Sequence, residues 1–274
     1  MTTTPPTGSG RGLRLTFDKE AERYDRVRPR YPPEAFDDLE RLGGLTRGSR
    51  VLEIGCGTGQ ATADLAWRGY EVTALELGPE LAALARANLA PYPNAEVIVA
   101  DFEEWTPPAE PFDGVVSATA FHWIDPSVRV VKAADALRPG GALAIIDTDH
   151  VAGGSEQFFV EVQDCYERWD PNAKPGLRLP EAANVSPDLD ELNRSGRFGP
   201  VEVRRYEWES TYSTSEYADL LGTYSGHIAL EPSVRTRLLE CISTLIDDRY
   251  GGRIAKRYLM TMRVAHRVDE EVLR

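Results

Sequence analysis

The sequence predicts a doubly wound α/β fold on a mostly parallel sheet of seven strands, with helical insertions late in the chain. Three observations predict it. Short apolar runs alternate with segments of helical spacing from residue 51 to residue 147. The first of those runs ends in a glycine-rich turn that leads directly into a helix, "VLEIGCGTG". Two further strand-like runs, "VEVRRYEWE" and "RYLMTMRVAHRV", follow later, with helical stretches at 215–223 and 232–250 between them.

In order along the chain, "MTTTPPTGSGRG" carries no apolar segment, so residues 1–16 are expected to form a disordered tail rather than a signal peptide. Residues 17–274 then read as one domain. Helices from about residue 17 and over 33–42 make an N-terminal lid region, 17–45. The core, 50–150, alternates strand 51–54, helix 60–68, strand 71–76, helix 79–89, strands 96–100 and 112–117, helix 126–137 and strand 142–147. Segments 150–200 and 210–256 are left as cap and substrate-binding insertions.

Composition sets outer bounds. A chain of 274 residues with 42% hydrophobic content can bury a full core. No apolar run approaches membrane-spanning length. A formal charge of −13 argues against nucleic acid, whose binding draws on clustered Lys and Arg. Cys56, Cys165 and Cys241 are odd in number and widely spaced, which leads us to expect three inert packing residues in a reducing cytoplasm.

The glycine turn narrows the ligand. Gly55, Gly57 and Gly59 read G-x-G-x-G rather than the dinucleotide G-x-G-x-x-G, and no phosphate-cradling G-x-x-x-x-G-K-[ST] occurs. Glu76 stands 17 residues after Gly59, at the end of "EVTALE", where a carboxylate accepts hydrogen bonds from ribose hydroxyls. NAD would fit that much equally well. A third element, "VIVADFEEW", ends a strand at Asp101 and Phe102, an acceptor for an adenine amino group beside an aromatic wall.

"VLEIGCGTG", "ALE" and "ADF", in this order and spacing, resemble the successive cofactor motifs of class I S-adenosylmethionine-dependent methyltransferases. "FDGVVSATAFHWIDP" and "ALRPGGALAIID" resemble the fourth and fifth strands of that fold. Within the type 11 methyltransferases, "YDRVRPRYP" and the "HW" after the fourth strand are similar to the small-molecule group that includes trans-aconitate methyltransferase. The resemblance covers about residues 17–149. It implies a Rossmann-like sheet with an antiparallel last strand and S-adenosyl-L-methionine as cofactor. Asp147, Asp149 and His150 follow the fifth strand, where some O-methyltransferases hold magnesium, but the fourth strand is followed by no companion acid except Asp125 in a turn before Pro126, so no metal is expected.

It also implies roles for particular residues. Glu53, Gly55, Gly57 and Gly59 hold the methionyl end, Glu76 and Leu77 the ribose and one adenine face, and Asp101 with Phe102 the adenine edge. Ala118 and Thr119 face the sulfonium. Tyr24 and Arg28, from a stretch with seven basic residues against four acids between Arg11 and Arg30, belong to a lid over the cofactor, with Tyr24 near its carboxylate and Arg28 paired with that carboxylate or with an acidic substrate. Methyl transfer is an in-line displacement, so alignment carries much of the catalysis. A hydroxyl or amine nucleophile also needs a base, for which His122 is the candidate, whereas a carboxylate needs none.

Trp123, Tyr212, Tyr217 and Tyr224 are expected to line the pocket of a small-molecule acceptor. His150, His227 and His266 show no partner pattern and are expected to be surface or core residues. O-methylation, including that of a carboxylate, is the favoured activity. The alternative is a protein that keeps the cofactor pocket without transferring methyl, a cyclase or a ligand-binding regulator.

Overall fold

Val51 to Ile54 form a strand because four successive apolar or buried side chains suit a position covered on both faces. Around this strand, β1 (Arg50–Ile54), the computed structural model builds a seven-stranded sheet in the order β3-β2-β1-β4-β5-β7-β6. It describes Asp18 and residues 21–268, so the expected tail over 1–16 lies outside the described residues. β2 (Glu71–Glu76), β3 (Ala95–Val99), β4 (Phe112–Ala118) and β5 (Leu137–Val151) run parallel to β1. β7 (Arg253–His266) inserts antiparallel between β5 and β6 (Glu202–Ser213).

Helices cover both faces. α1 (Ala21–Val27) and α2 (Pro33–Gly43) precede β1, and α3 (Gln60–Trp67), α4 (Pro79–Asn88) and α5 (Arg129–Ala136) join the parallel strands. Leu39, Leu65, Ala82 and Met262 belong to the core of one face, and Leu52, Phe112, Leu137 and Ile145 to that of the other. α5 starts three residues later than the sequence suggests. Asp125 Oδ1 accepts from Ser127 N at 2.8 Å and from Ser127 Oγ at 2.7 Å, which holds residues 125–127 in a turn.

β5 runs four residues beyond the expected end at Asp147, because β7 pairs with it as far as Val151↔Arg257. That extension carries Asp149 and His150 past the edge of the parallel sheet.

The cap comes from two insertions. α6 (Glu156–Glu161), α7 (Gln163–Trp169) and α8 (Asp190–Arg194) lie between β5 and β6. α9 (Thr214–Gly222), α10 (Ser225–Ile228) and α11 (Pro232–Tyr250) lie between β6 and β7. α9 opens with a capping box, in which Ser213 Oγ accepts from Glu216 N and the Glu216 carboxylate accepts from Ser213 N.

Two expectations about the cap are corrected. Cys165 of α7 and Cys241 of α11 are joined in a disulfide, since the two helices pack side by side over a shared apolar cluster. The 76-residue separation concealed that proximity, and with it goes the argument from unpaired cysteines for a reducing compartment. Cys56 alone is free, and burial pushes its thiol up. Tyr212, expected in the acceptor pocket, is buried inside the cap cluster with its hydroxyl 2.8 Å from that of Tyr258. Among the described residues no helix is long and apolar enough to cross a membrane.

Candidate active site

The carboxyl ends of the parallel strands and the underside of the cap enclose a cavity of about 570 Å³. Its floor begins at the glycine turn. Gly55, Gly57 and Gly59 adopt φ of 72°, 57° and 85°, and a side chain at Gly55 would place its Cβ 2.5 Å from that of Ala120. Gly55 N and Cys56 N both donate to Leu75 O, which folds the turn onto β2.

Glu76 ties this turn to the next loop. Its Oε2 accepts from Gly57 N at 2.8 Å and its Oε1 from Gly78 N at 2.9 Å. Burial raises the carboxyl and these backbone bonds oppose it. Each carboxylate oxygen keeps a second lone-pair direction, so the group still suits a ribose diol.

Gly55, Gly57, Glu76, Leu77, Asp101, Phe102, Ala118 and Thr119 all line the cavity. Glu53 and Gly59 do not. Glu53 sits beneath the turn, 1% exposed, where Thr62 Oγ1 donates to it at 2.6 Å and burial pushes its carboxyl up to about 7. Gly59 begins α3 and faces Leu89 and Ala85. Their contribution is to shape the turn from behind.

Leu77, Ala100, Phe102 and Ile124 give the cavity apolar lining beside the carboxylate of Asp101, the residue expected at the adenine edge. A flat base with one amino group fits that donor–acceptor set. Asp101→Ala is expected to raise the dissociation constant for S-adenosylhomocysteine about tenfold to a hundredfold, measured by calorimetry. Unchanged affinity would remove Asp101 from the adenine site.

The roof is α1. Asp18 Oδ1 accepts from Glu80 N and Leu81 N, capping α4, and Arg23 and Arg26 pair with Asp219 of α9. Tyr24 lies over Gly57, and Arg28 stacks 4.7 Å from both the Tyr24 and Tyr224 ring centroids. Arg28 donates from Nε to Thr223 Oγ1 and from Nη2 to Thr223 O. Two of its three guanidinium nitrogens therefore bond to the cap.

The loop after β4 is strained at one point. Thr119 holds φ at 57°, uncommon for a β-branched residue, with its N–H on Ile146 O at 2.7 Å and its Oγ1 3.2 Å from Tyr31 OH. A single turn of 3₁₀ helix follows, Phe121–Trp123. His122 and Trp123 line the cavity with their rings 5.0 Å apart. Burial lowers the His122 pKa, Asp147 pulls it back, and Arg129 and Arg263 lower it further. The net effect favours the neutral imidazole.

Sequence reasoning missed the far half of the cavity. His150, His227, Tyr166 and Lys256 line it beside the expected Tyr217 and Tyr224. Tyr224 OH lies 3.2 Å from His150 Nε2, and Tyr166 OH 3.0 Å from His227 Nε2. Burial carries His150 well below its ordinary value and His227 down to about 4. His266 is the structural residue expected, bridging Gly140 O and Leu42 O. The signal for Lys256 was alternation: it shares the inward register of β7 with Ile254 and Tyr258. Among the described residues no group of three His, Cys, Asp or Glu converges as a metal site, and Asp147 is engaged by Arg263.

Glu76 and Asp101 thus stand at successive strand ends on one wall of the cavity, the arrangement that the resemblance to S-adenosylmethionine-dependent methyltransferases leads one to expect. The comparisons place the chain within that class. Residues 51–141 match a family model described as a methyltransferase domain. An uncharacterized methyltransferase of Mycobacterium tuberculosis is 31% identical over 242 residues, 88% of this chain and 89% of that one. Trans-aconitate 2-methyltransferase of Streptomyces avermitilis is 30% identical over 64% of this chain and 65% of its own length.

Among solved structures, Haemonchus contortus phosphoethanolamine N-methyltransferase 2, in complex with phosphomonomethylethanolamine and S-adenosylhomocysteine, aligns with TM-score 0.54 at 17% identity. That alignment covers 97% of this chain and 61% of that one. The cyclase SpnF aligns with TM-score 0.54 at 15% identity over 94% and 97%. The chain belongs to the class I S-adenosylmethionine-dependent methyltransferase family. Its cofactor is S-adenosylmethionine.

Proposed function

We propose that this enzyme methylates a hydroxyl oxygen of a small organic acceptor, with His122 taking the proton. The observation that carries the reading is an imidazole in the cavity wall, on the loop after β4 and with its ring centroid 5.0 Å from that of Trp123, where burial favours the neutral form. Bound S-adenosylmethionine supplies an electrophilic methyl on a cationic sulfur. The acceptor O–H proton would pass to an imidazole nitrogen of His122 as the oxygen takes the methyl, the S–CH₃ bond breaking to leave S-adenosylhomocysteine as a neutral thioether. Trp123 lends a π face to the cationic sulfur. Thr119, held by Tyr31, fixes the loop on which both residues stand.

Carboxylate methylation is the second reading, supported by the partial similarity to proteins named trans-aconitate 2-methyltransferase. It would leave His122 without a proton to take. Release of S-adenosylhomocysteine, measured across matched hydroxyl compounds, acids and amines, tests the choice. Turnover is expected with hydroxyl compounds, and turnover confined to amines, or to acids without a hydroxyl, would overturn it. S-adenosylhomocysteine is expected to raise the melting temperature through mass action, with no response to NADH.

A further inference from the structure

Lys256 is 3% exposed, yet its ammonium has no carboxylate beside it among the described residues. Nζ donates one hydrogen bond, to Tyr224 OH at 3.3 Å. It lies 5.2, 5.6 and 5.7 Å from the ring centroids of Tyr224, Tyr258 and Tyr217. Arg28 stacks on the same Tyr224 ring. His150 on β5 and His227 on α10 complete the titratable surroundings, and no group in this set is anionic at neutral pH.

A buried cation with donors to spare and a second cation nearby is an arrangement that an anion completes. In a chain of net charge −13, such an unneutralised pair is not a by-product of overall composition. We propose that Lys256, with Arg28 near the same Tyr224 ring, seats a carboxylate of the methyl acceptor, and that this carboxylate is not the group methylated.

The topology separates the two points. β5 stands between β4, whose end carries the His122 loop, and β7, which carries Lys256. Two strand spacings are roughly 10 Å, and Lys256 also lies farther along the sheet, since Ala118 at the end of β4 faces Ile146 whereas Arg257, next to Lys256, faces Val151. Methyl transfer requires reacting atoms about 3–3.5 Å apart. One acceptor must therefore reach both points with a body between them, and Phe159, Val162, Leu179 and Leu221 line the cavity with apolar surface. The acceptor class is a hydroxy acid with one carboxylate and an aromatic or alicyclic body, rather than a polyacid. The inference of a hydroxyl at the other end rests on the reading of His122 above.

The test uses the full chain saturated with S-adenosylhomocysteine and three probes that lack a hydroxyl: 3-phenylpropanoate, its amide, and phenyl phosphate. The acid is expected to bind about tenfold or more tighter than the amide, as a charge-assisted contact requires. Burial, with a smaller push from Arg28, brings the Lys256 ammonium down to about 7, so acid binding should be stronger at pH 6 than at pH 8.5. The chain has four lysines, so ¹³Cε resonances assigned with Lys256→Met follow this titration directly in the wild type. Bound acid should move its midpoint upward.

Lys256→Met should abolish the preference for acid over amide while binding S-adenosylhomocysteine as tightly as before. Equal binding of acid and amide in the wild type, or an unmoved Lys256 midpoint, would overturn the seat. Weakened S-adenosylhomocysteine binding in the variant would assign Lys256 to the cofactor instead, and phenyl phosphate binding tighter than the acid would overturn the carboxylate. Failure of hydroxyl methylation with acid binding intact would reject the His122 reading and leave this seat standing.

Discussion

His122→Ala is expected to lower turnover on a hydroxyl acceptor by roughly 10²- to 10⁴-fold, with S-adenosylhomocysteine affinity nearly unchanged. The size follows from removing a positioned base. The pH profile carries the finer information. Burial lowers the His122 value, so the wild-type kcat at saturating acceptor should rise through a midpoint below 6.5 and stay level above it. The variant should lose that limb. Steady-state kinetics between pH 5 and 8.5 check both points. A wild-type rate in the variant, or a collapse of cofactor binding, would show that the imidazole only packs against Trp123.

Gly55→Ala should be as damaging through geometry alone. A non-glycine residue in the left-handed region costs about 1–2 kcal/mol. The new Cβ would also meet the Ala120 Cβ at 2.5 Å, an overpacking that costs about 1–3 kcal/mol more. That is a large share of a typical domain stability of about 5–15 kcal/mol. Ala120 precedes the His122 turn, so the displacement should disrupt both cofactor binding and turnover. Gly57→Ala is the contrast: the nearest atom to its Cβ is Tyr24 Cε1 at 3.8 Å, leaving only the backbone cost. Thermal unfolding and S-adenosylhomocysteine calorimetry on the two variants should rank Gly55→Ala as clearly worse.

The strand-end half of the cavity was legible because it is written locally. Glycine turn, Glu76 and Asp101 each sit at the end of an apolar run, and a parallel sheet brings such ends together whatever the rest of the chain does. The half beneath the cap is assembled from residues far apart in sequence. Arg28 and Tyr224 stack across 196 positions, and Lys256 joins them only because β7 is threaded between β5 and β6. Tyr212 was misplaced for the same reason. It reads like Tyr217 and Tyr224 in composition, but it lies on β6 paired with Ile254 and bonds to Tyr258 within the cap cluster. The Cys165–Cys241 bridge escaped notice because packing of α7 on α11, not spacing, creates it.

The position of β7 makes the two halves unequal in the order in which a growing chain can complete them. β1 to β5 emerge in sequence and can pair as they appear, bringing the adenine and ribose contacts into register. β6 must wait. Its ladder partner is β7, and until that strand arrives it has no edge to join. A ribosome-bound chain that has released β5 but not β7 thus presents an open sheet edge together with a nearly finished cofactor cradle. Early cofactor binding would favour the compact form of that intermediate by mass action, leaving selection of the acceptor to the last strand made.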